Sequence, residues 1–140
     1  MKNIRKWLLI IFGFLFIFFI LVTGNHKIQL MNEEENFTPL GEMVNVYGSD
    51  MHVYAEGEGE RTLIFMSGGG TSSPVLDFKA LYTELTDDFL TVVVEKNGYG
   101  FSEMNESDRS IEAILSETRR ALEMAQIEPP FVLVPHSMSG

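Results

Sequence analysis

The clearest indication of the fold is the apolar run Phe131-Val132-Leu133-Val134, followed directly by Pro135-His136-Ser137-Met138-Ser139-Gly140. Four consecutive apolar residues, two of them β-branched, predict a buried strand. Small residues then flank the serine, as a tight turn from a strand into a helix requires, because the two backbones pass close together there. A serine on such a turn presents its hydroxyl group to solvent, so Ser137 is a candidate nucleophile.

Two more apolar runs, at residues 62–66 and 91–94, predict buried strands of the same kind. Two helical patterns lie between the three strands, and each begins at a serine that can cap it. Ser73 precedes the first, which has Pro74 at its first position and an apolar face of Val75, Phe78, Leu81, Tyr82 and Leu85. Ser110 precedes the second, whose apolar stripe is Ile111, Ile114, Leu115, Thr118, Leu122 and Ala125, and Pro129-Pro130 ends it.

Alternation of strands and helices predicts right-handed crossovers and a parallel sheet. Upstream, the alternating runs 43–46 and 51–54 around Gly48-Ser49-Asp50 predict a β-hairpin. The expected fold is therefore an α/β domain with a mixed, mostly parallel sheet over residues 42–140.

Three motifs in this order resemble the N-terminal half of the α/β-hydrolase fold. Ser67-Gly68-Gly69-Gly70 follows the 62–66 strand, where the family usually has a histidine before the glycine turn. Glu95-Lys96-Asn97-Gly98-Tyr99-Gly100-Phe101-Ser102 is similar to the family's acidic-x-x-Gly-x-Gly-x-Ser segment. Pro135-His136-Ser137-Met138-Ser139 resembles the nucleophile elbow, which the family writes Gly-x-Ser-x-Gly.

The resemblance implies a serine hydrolase that cleaves ester, thioester or amide bonds through an acyl-enzyme on Ser137. Backbone N–H groups of Met138 and Gly69 would hold the oxyanion. The expected substrate is a small-molecule or peptide acyl compound, and no cofactor or metal ion is expected. A serine nucleophile argues against the dehalogenase and epoxide-hydrolase branches, which use aspartate.

The family supplies its other triad members in the order serine, acid, histidine, so both would follow residue 140. His26 is expected at the membrane exit and His52 on the front hairpin, far from the elbow, while His136 points to the opposite face from Ser137. We therefore expect these 140 residues to be a fragment of a longer hydrolase, inactive by themselves. The alternative is a non-catalytic, membrane-anchored α/β module that binds a partner through its sheet edge.

The N-terminal segment carries Lys2, Arg5 and Lys6, followed by an unbroken apolar run over residues 7–22. As a helix this run spans about 24 Å, slightly less than a bilayer core of about 30 Å. Two interpretations stay open: an uncleaved signal anchor that contacts the membrane through residues 7–23, or a signal peptide cleaved at the weak site Val22-Thr23-Gly24. The following residues would lie outside the cytoplasm, either anchored by a single pass or secreted.

The expected organisation is thus a membrane segment at residues 1–24, an acidic linker at 25–41 and the α/β domain at 42–140. The formal net charge is -10, although three of the ten cations lie within the first six residues. So acidic a domain repels phosphate backbones, which excludes nucleic acid as an expected partner. The chain has no cysteine, so neither a disulfide nor a thiolate metal site is available.

Overall fold

The protein is described by a computed structural model that covers residues 2–36, 38–106 and 108–140. For residues 2 and 33–36 it describes the backbone only. The chain divides into two compact units, Met1–Thr38 and Pro39–Gly140. In the described residues the first unit contains one helix, and the second contains the sheet.

Helix α1, Lys2–Asn36, is 35 residues long. Its stretch Asn3–Asn32 is long and apolar enough to cross a membrane, judged by length and composition, and it lies near the N-terminus. The helix continues through residues 25–36, so most of the predicted acidic linker is helical. No proline interrupts the chain before Pro39, which explains why nothing stops the helix at Gly24.

The second unit is a five-stranded sheet in the order β1-β2-β4-β3-β5. Its strands are β1 Glu42–Val46, β2 Ser49–Glu56, β3 Thr62–Met66, β4 Leu90–Val94 and β5 Phe131–Pro135. β1 pairs with β2 and β2 with β4 in antiparallel fashion, whereas β3 pairs in parallel with both β4 and β5. The predicted mixed, mostly parallel α/β sheet is confirmed, with the hairpin at its front.

Helices cover both faces of this sheet: α2, Pro74–Tyr82, on one and α3, Ile111–Met124, on the other. Side chains alternate between the faces along each strand. In β3, Ile64 belongs to the core beneath α3, while Leu63 and Phe65 belong to the core beneath α2. Burial on both faces is the reason that β3 and β4 are continuous apolar runs in the sequence.

The helix predictions need three corrections. Leu81 is half exposed, and α2 ends at Tyr82, so Leu85 reaches the core from the turn beyond the helix. Ile111 is exposed at the start of α3. Ser73 occupies the N-cap position of α2, but its side chain makes no capping hydrogen bond, whereas Ser110 accepts one from the Ala113 N–H.

Candidate active site

Ser137 lies at the end of β5 in a strained backbone conformation. Its φ is +58°, the left-handed region that an L-residue with a side chain rarely adopts. His136 before it is still extended, and Ser137–Ser139 form a single turn of 3-10 helix. Non-glycine residues in this region cost of order 1–3 kcal/mol and persist where surrounding contacts impose them. The serine side chain is exposed.

The turn is held by hydrogen bonds to the carboxyl end of β3. The carbonyl oxygen of Met66 accepts from the His136 N–H at 3.0 Å and from the Ser139 hydroxyl at 2.7 Å. The same hydroxyl oxygen lies 3.1 Å from the His136 nitrogen and accepts from it. Ser139 therefore does more than replace a small glycine, because its side chain ties the turn to the neighbouring strand.

The glycine turn after β3 lies directly beside Ser137. A Cβ atom at Gly68 would be 2.8 Å from the Ser137 Cβ and 3.3 Å from its Oγ, so only glycine fits there. A Cβ at Gly69 would lie 3.0 Å from the Met138 sulfur. The structure thus brings Ser137, Met138 and Gly69 together at one edge of the sheet, while the roles assigned to them remain predictions.

The second motif, residues 95–102, surrounds a buried carboxyl group. Glu95 accepts from the Phe101 N–H at 2.7 Å and from the Val75 N–H, in the first turn of α2, at 3.2 Å. A side chain at Gly100 would overlap this carboxyl group, which explains the glycine. In both hydrogen bonds a backbone N–H donates and the Glu95 carboxylate accepts.

His52 is the third partner of Glu95, and sequence reasoning missed the contact. The imidazole is fully buried, with Nδ1 3.0 Å from a Glu95 carboxylate oxygen and Nε2 2.6 Å from the carbonyl oxygen of Leu40. A carbonyl oxygen can only accept, so Nε2 carries a hydrogen. Such a buried pair 43 residues apart leaves no spacing signal in the sequence.

In the described residues, the contacts of both histidines of the second unit go to groups other than the Ser137 hydroxyl. Both ring nitrogens of His52 are engaged elsewhere, and the His136 ring packs edge-on against Phe78, 6.2 Å between centroids, on the α2 side. Among the residues that the structure describes, no group of three or more His, Cys, Asp or Glu side chains could hold a metal ion.

An apolar groove of about 440 Å³ lies between α3 and strands β3 and β5. Ile64, Met66, Leu115, Leu122, Phe131 and Leu133 line it. None of the candidate site residues contributes to its wall. In the described part of the chain β5 pairs only with β3, and Val132 and Leu133 are exposed on its two faces.

Strand order, elbow and glycine turn together define the N-terminal part of the α/β-hydrolase fold, and comparison with solved structures agrees. An α/β-hydrolase fold protein from Burkholderia ambifaria superposes with a TM-score of 0.62 at 23% identity, over 74% of this chain and 37% of that one. An epoxide hydrolase from Vigna radiata gives 0.61 at 23% identity, over 70% and 32%. An epoxide hydrolase variant from Bacillus megaterium gives 0.60 at 24%, over 70% and 34%.

Among curated proteins, the chain is similar to the uncharacterized protein YbdG of Bacillus subtilis strain 168. The two are 39% identical over an alignment of 144 positions, which covers all of this chain and 44% of YbdG. The uncharacterized protein YqjL of the same organism is 29% identical over 60% of this chain and 32% of its own length. The chain thus spans less than half of the curated relatives that it matches, and no protein-family model matches it.

Proposed function

We propose that residues 42–140 are the N-terminal part of a serine hydrolase domain in which Ser137 is the nucleophile. The observation that supports this most is the left-handed Ser137 at the end of β5, pressed against a glycine on which no side chain fits. Strain of this kind is stored where a hydroxyl group must be presented to a substrate.

In the proposed reaction the Ser137 oxygen attacks an acyl carbon, and the resulting acyl-enzyme is hydrolysed by water. The backbone N–H groups of Met138 and Gly69 hold the oxyanion that forms in the attack. Ester, thioester and amide substrates fit this chemistry. The structural neighbours include epoxide hydrolases, but the side chain at this elbow is a serine, which favours acyl transfer over an aspartate mechanism.

The hydroxyl proton needs a base, but both ring nitrogens of His52 have other partners and the His136 ring packs against Phe78. We propose that the triad acid and histidine belong to a part of the whole hydrolase that follows the elbow. The 140-residue polypeptide alone is then expected to hydrolyse esters no faster than its Ser137→Ala variant.

Activity is best tested in a chimera in which this chain replaces the matched region of YbdG. Hydrolysis of p-nitrophenyl acetate is followed in the chimera, its Ser137→Ala variant and intact YbdG. We expect turnover in the chimera and at least a hundredfold loss on removal of the nucleophile, in keeping with catalysis that depends on the serine. Equal turnover with and without the Ser137 hydroxyl would refute the proposal.

We further propose that α1 anchors the domain to a membrane from outside the cytoplasm. Its apolar stretch has the necessary length, and Lys2, Arg5 and Lys6 precede it as in segments whose N-terminus stays inside. Sodium carbonate extraction should leave the chain in the membrane pellet, and an Ile11→Lys, Leu15→Lys variant should move to the soluble fraction. The intact mass of the isolated protein distinguishes an anchor from a cleaved signal peptide.

The exposed outer strand favours a second candidate function, a non-catalytic module that binds a partner along β5. Val132 is 49% and Leu133 57% exposed, and the apolar groove lies beside them. A sheet edge of this kind can pair with an added strand. A folded chimera that shows no ester turnover, beside an active YbdG, would favour this function over catalysis.

A further inference from the structure

The loop that carries Gly69 has little of its own to fix its shape. It connects β3 to α2 over residues 67–73 and contains three consecutive glycines, Gly68 to Gly70. Glycine populates a wide range of backbone conformations and offers no side chain to pack. An oxyanion site needs N–H groups that are held in place before the reaction. Something outside the loop must therefore hold it.

The residues after β4 contact this loop near both of its ends. Parallel strands β3 and β4 are neighbours, so the loops that follow them meet at the same edge of the sheet. The Gly100 N–H donates to the Ser72 carbonyl oxygen at 3.0 Å near the end of the loop. Glu95 holds the first turn of α2 immediately beyond, through the Val75 N–H.

Lys96 holds the other end of the loop. Its ammonium group donates to the carbonyl oxygen of Ser67 at 2.8 Å. Ser67 is only 1% exposed, so water does not reach it freely and a carbonyl left without a partner there would be costly. The Lys96 Nζ also lies over the Tyr99 ring, 4.8 Å from its centroid, which fixes the position of the cation.

We propose that Lys96 is a positioning residue for the glycine loop, and that its ammonium group sets the orientation in which the loop presents its N–H groups to Ser137. The Ser67 carbonyl belongs to the same planar peptide unit as the Gly68 N–H, so fixing one fixes the other. Gly69 follows directly. The proposal rests on the proposed role of Ser137 for its catalytic meaning, but the mechanical role of Lys96 can be measured independently.

Backbone ¹⁵N relaxation of the full chain in detergent micelles tests the mechanical role, with Lys96→Met as the variant. Order parameters at Gly68, Gly69 and Gly70 are expected near about 0.85 in the wild type and below about 0.6 in the variant. Lys96→Arg keeps a cationic donor and should restore the rigid values. The matched control is Lys79→Met, which removes a lysine from the exposed side of α2 and should change nothing.

The kinetic role is measured by the rate at which a fluorophosphonate probe labels the chimera described above. Lys96→Met should slow labelling at least tenfold, since a charge-assisted hydrogen bond is lost, while Lys96→Arg and Lys79→Met keep the wild-type rate. Unchanged order parameters, or a mobile loop with an unchanged labelling rate, would overturn the proposal. If Lys96→Met does not fold, Lys96→Gln, which keeps a neutral donor, is measured in the same two assays.

The two proposals fail in different ways. Suppose that Ser137 is not labelled in any variant, while the loop is rigid in the wild type and mobile in Lys96→Met. That result would refute Ser137 as the nucleophile and support Lys96 as the residue that positions the loop. Labelling that requires Ser137 but has the same rate in Lys96→Met would support the nucleophile and refute the positioning role of Lys96.

Discussion

At the scale of single residues, the turn at Ser137 differs from the Gly-x-Ser-x-Gly motif of the family at its last position. Ser139 stands where the resemblance predicts glycine, and its smallness is only part of the explanation. The hydroxyl group donates to the Met66 carbonyl oxygen and so links the strained turn to β3. The Ser139 side chain therefore makes a structural contact that supports the conformation of Ser137.

Replacing Ser139 with alanine removes this contact while keeping a small side chain. We expect the free energy of unfolding to fall by about 1 kcal/mol, the usual contribution of one hydrogen bond, as measured by urea denaturation of the full chain in detergent. Ser72→Ala, which removes the hydroxyl of an exposed serine, serves as the control. A loss no larger than that of the control would mean that the Ser139 hydroxyl does not stabilise the turn.

Tyr54 makes stability depend on alkaline pH. Burial raises the pKa of this phenol above its usual range, and its hydrogen bond to Glu56 raises it further. A pKa that is higher in the folded state gives stability that is fully present below the unfolded value of about 10 and is lost as pH rises beyond it. We therefore expect the unfolding free energy to decline from about pH 10 upward.

Tyr54→Phe should flatten this decline, because the variant has no phenol to ionise when the chain unfolds. Urea denaturation at intervals between about pH 8 and pH 11 measures the effect. Tyr47→Phe, at a tyrosine that is 72% exposed, should retain the wild-type slope. Parallel curves for wild type and Tyr54→Phe would contradict this assignment.

At the scale of elements, the two helices start at serines that look equivalent in the sequence and differ in the structure. Ser110 accepts a hydrogen bond from the Ala113 N–H at 3.3 Å, whereas the Ser73 side chain makes no capping bond. In α2 the first helical residue is Pro74, which has no N–H to satisfy. The same residue type therefore contributes differently at the two helix starts.

Alanine substitutions at the two serines form a matched pair. Ser110→Ala should lower the free energy of unfolding by about 1 kcal/mol, and Ser73→Ala by a few tenths at most. Chemical denaturation followed by far-ultraviolet circular dichroism gives both values. Equal losses would show that the observed difference in capping has no energetic consequence.

Strands β3 and β4 were predictable because burial leaves a signal along the sequence, whereas Val132 and Leu133 of the apolar run in β5 are exposed. β3 occupies the predicted residues 62–66, since burial on both faces requires a continuous apolar run. Helix faces were predicted less well: Leu81 and Ile111 fit the period of an apolar face, but both side chains are exposed. Periodicity alone does not say how much of a helix the sheet can cover.

The buried contacts of the site were not predictable in the same way. The glycine turn and the elbow have motifs of their own, so Gly69, Ser137 and Met138 could be named from the sequence. The contacts of His52 with Glu95 and of Lys96 with Ser67 join residues 43 and 29 positions apart. Such pairs depend on which strands become neighbours, which is a property of the assembled sheet.

At the scale of the whole molecule, two units with different physical character share one chain. One is a helix whose apolar side chains have the length and composition of a membrane span, and the other is an acidic α/β unit with a strained serine at its sheet edge. The groove beside α3 and the exposed faces of β5 leave an apolar surface on the second unit. We propose that the two units have separate roles, attachment for the helix and chemistry for the α/β unit.

The most direct test of the central claim is mass spectrometry of the chimera after reaction with a fluorophosphonate. We predict a single phosphonylated serine, Ser137, in the peptide that contains His136 and Met138, and no adduct in the Ser137→Ala variant. Ser139→Ala should still be labelled, which separates the nucleophile from its neighbour. An adduct on another residue, or a folded chimera without any adduct while intact YbdG is labelled, would contradict the assignment of Ser137 as the nucleophile.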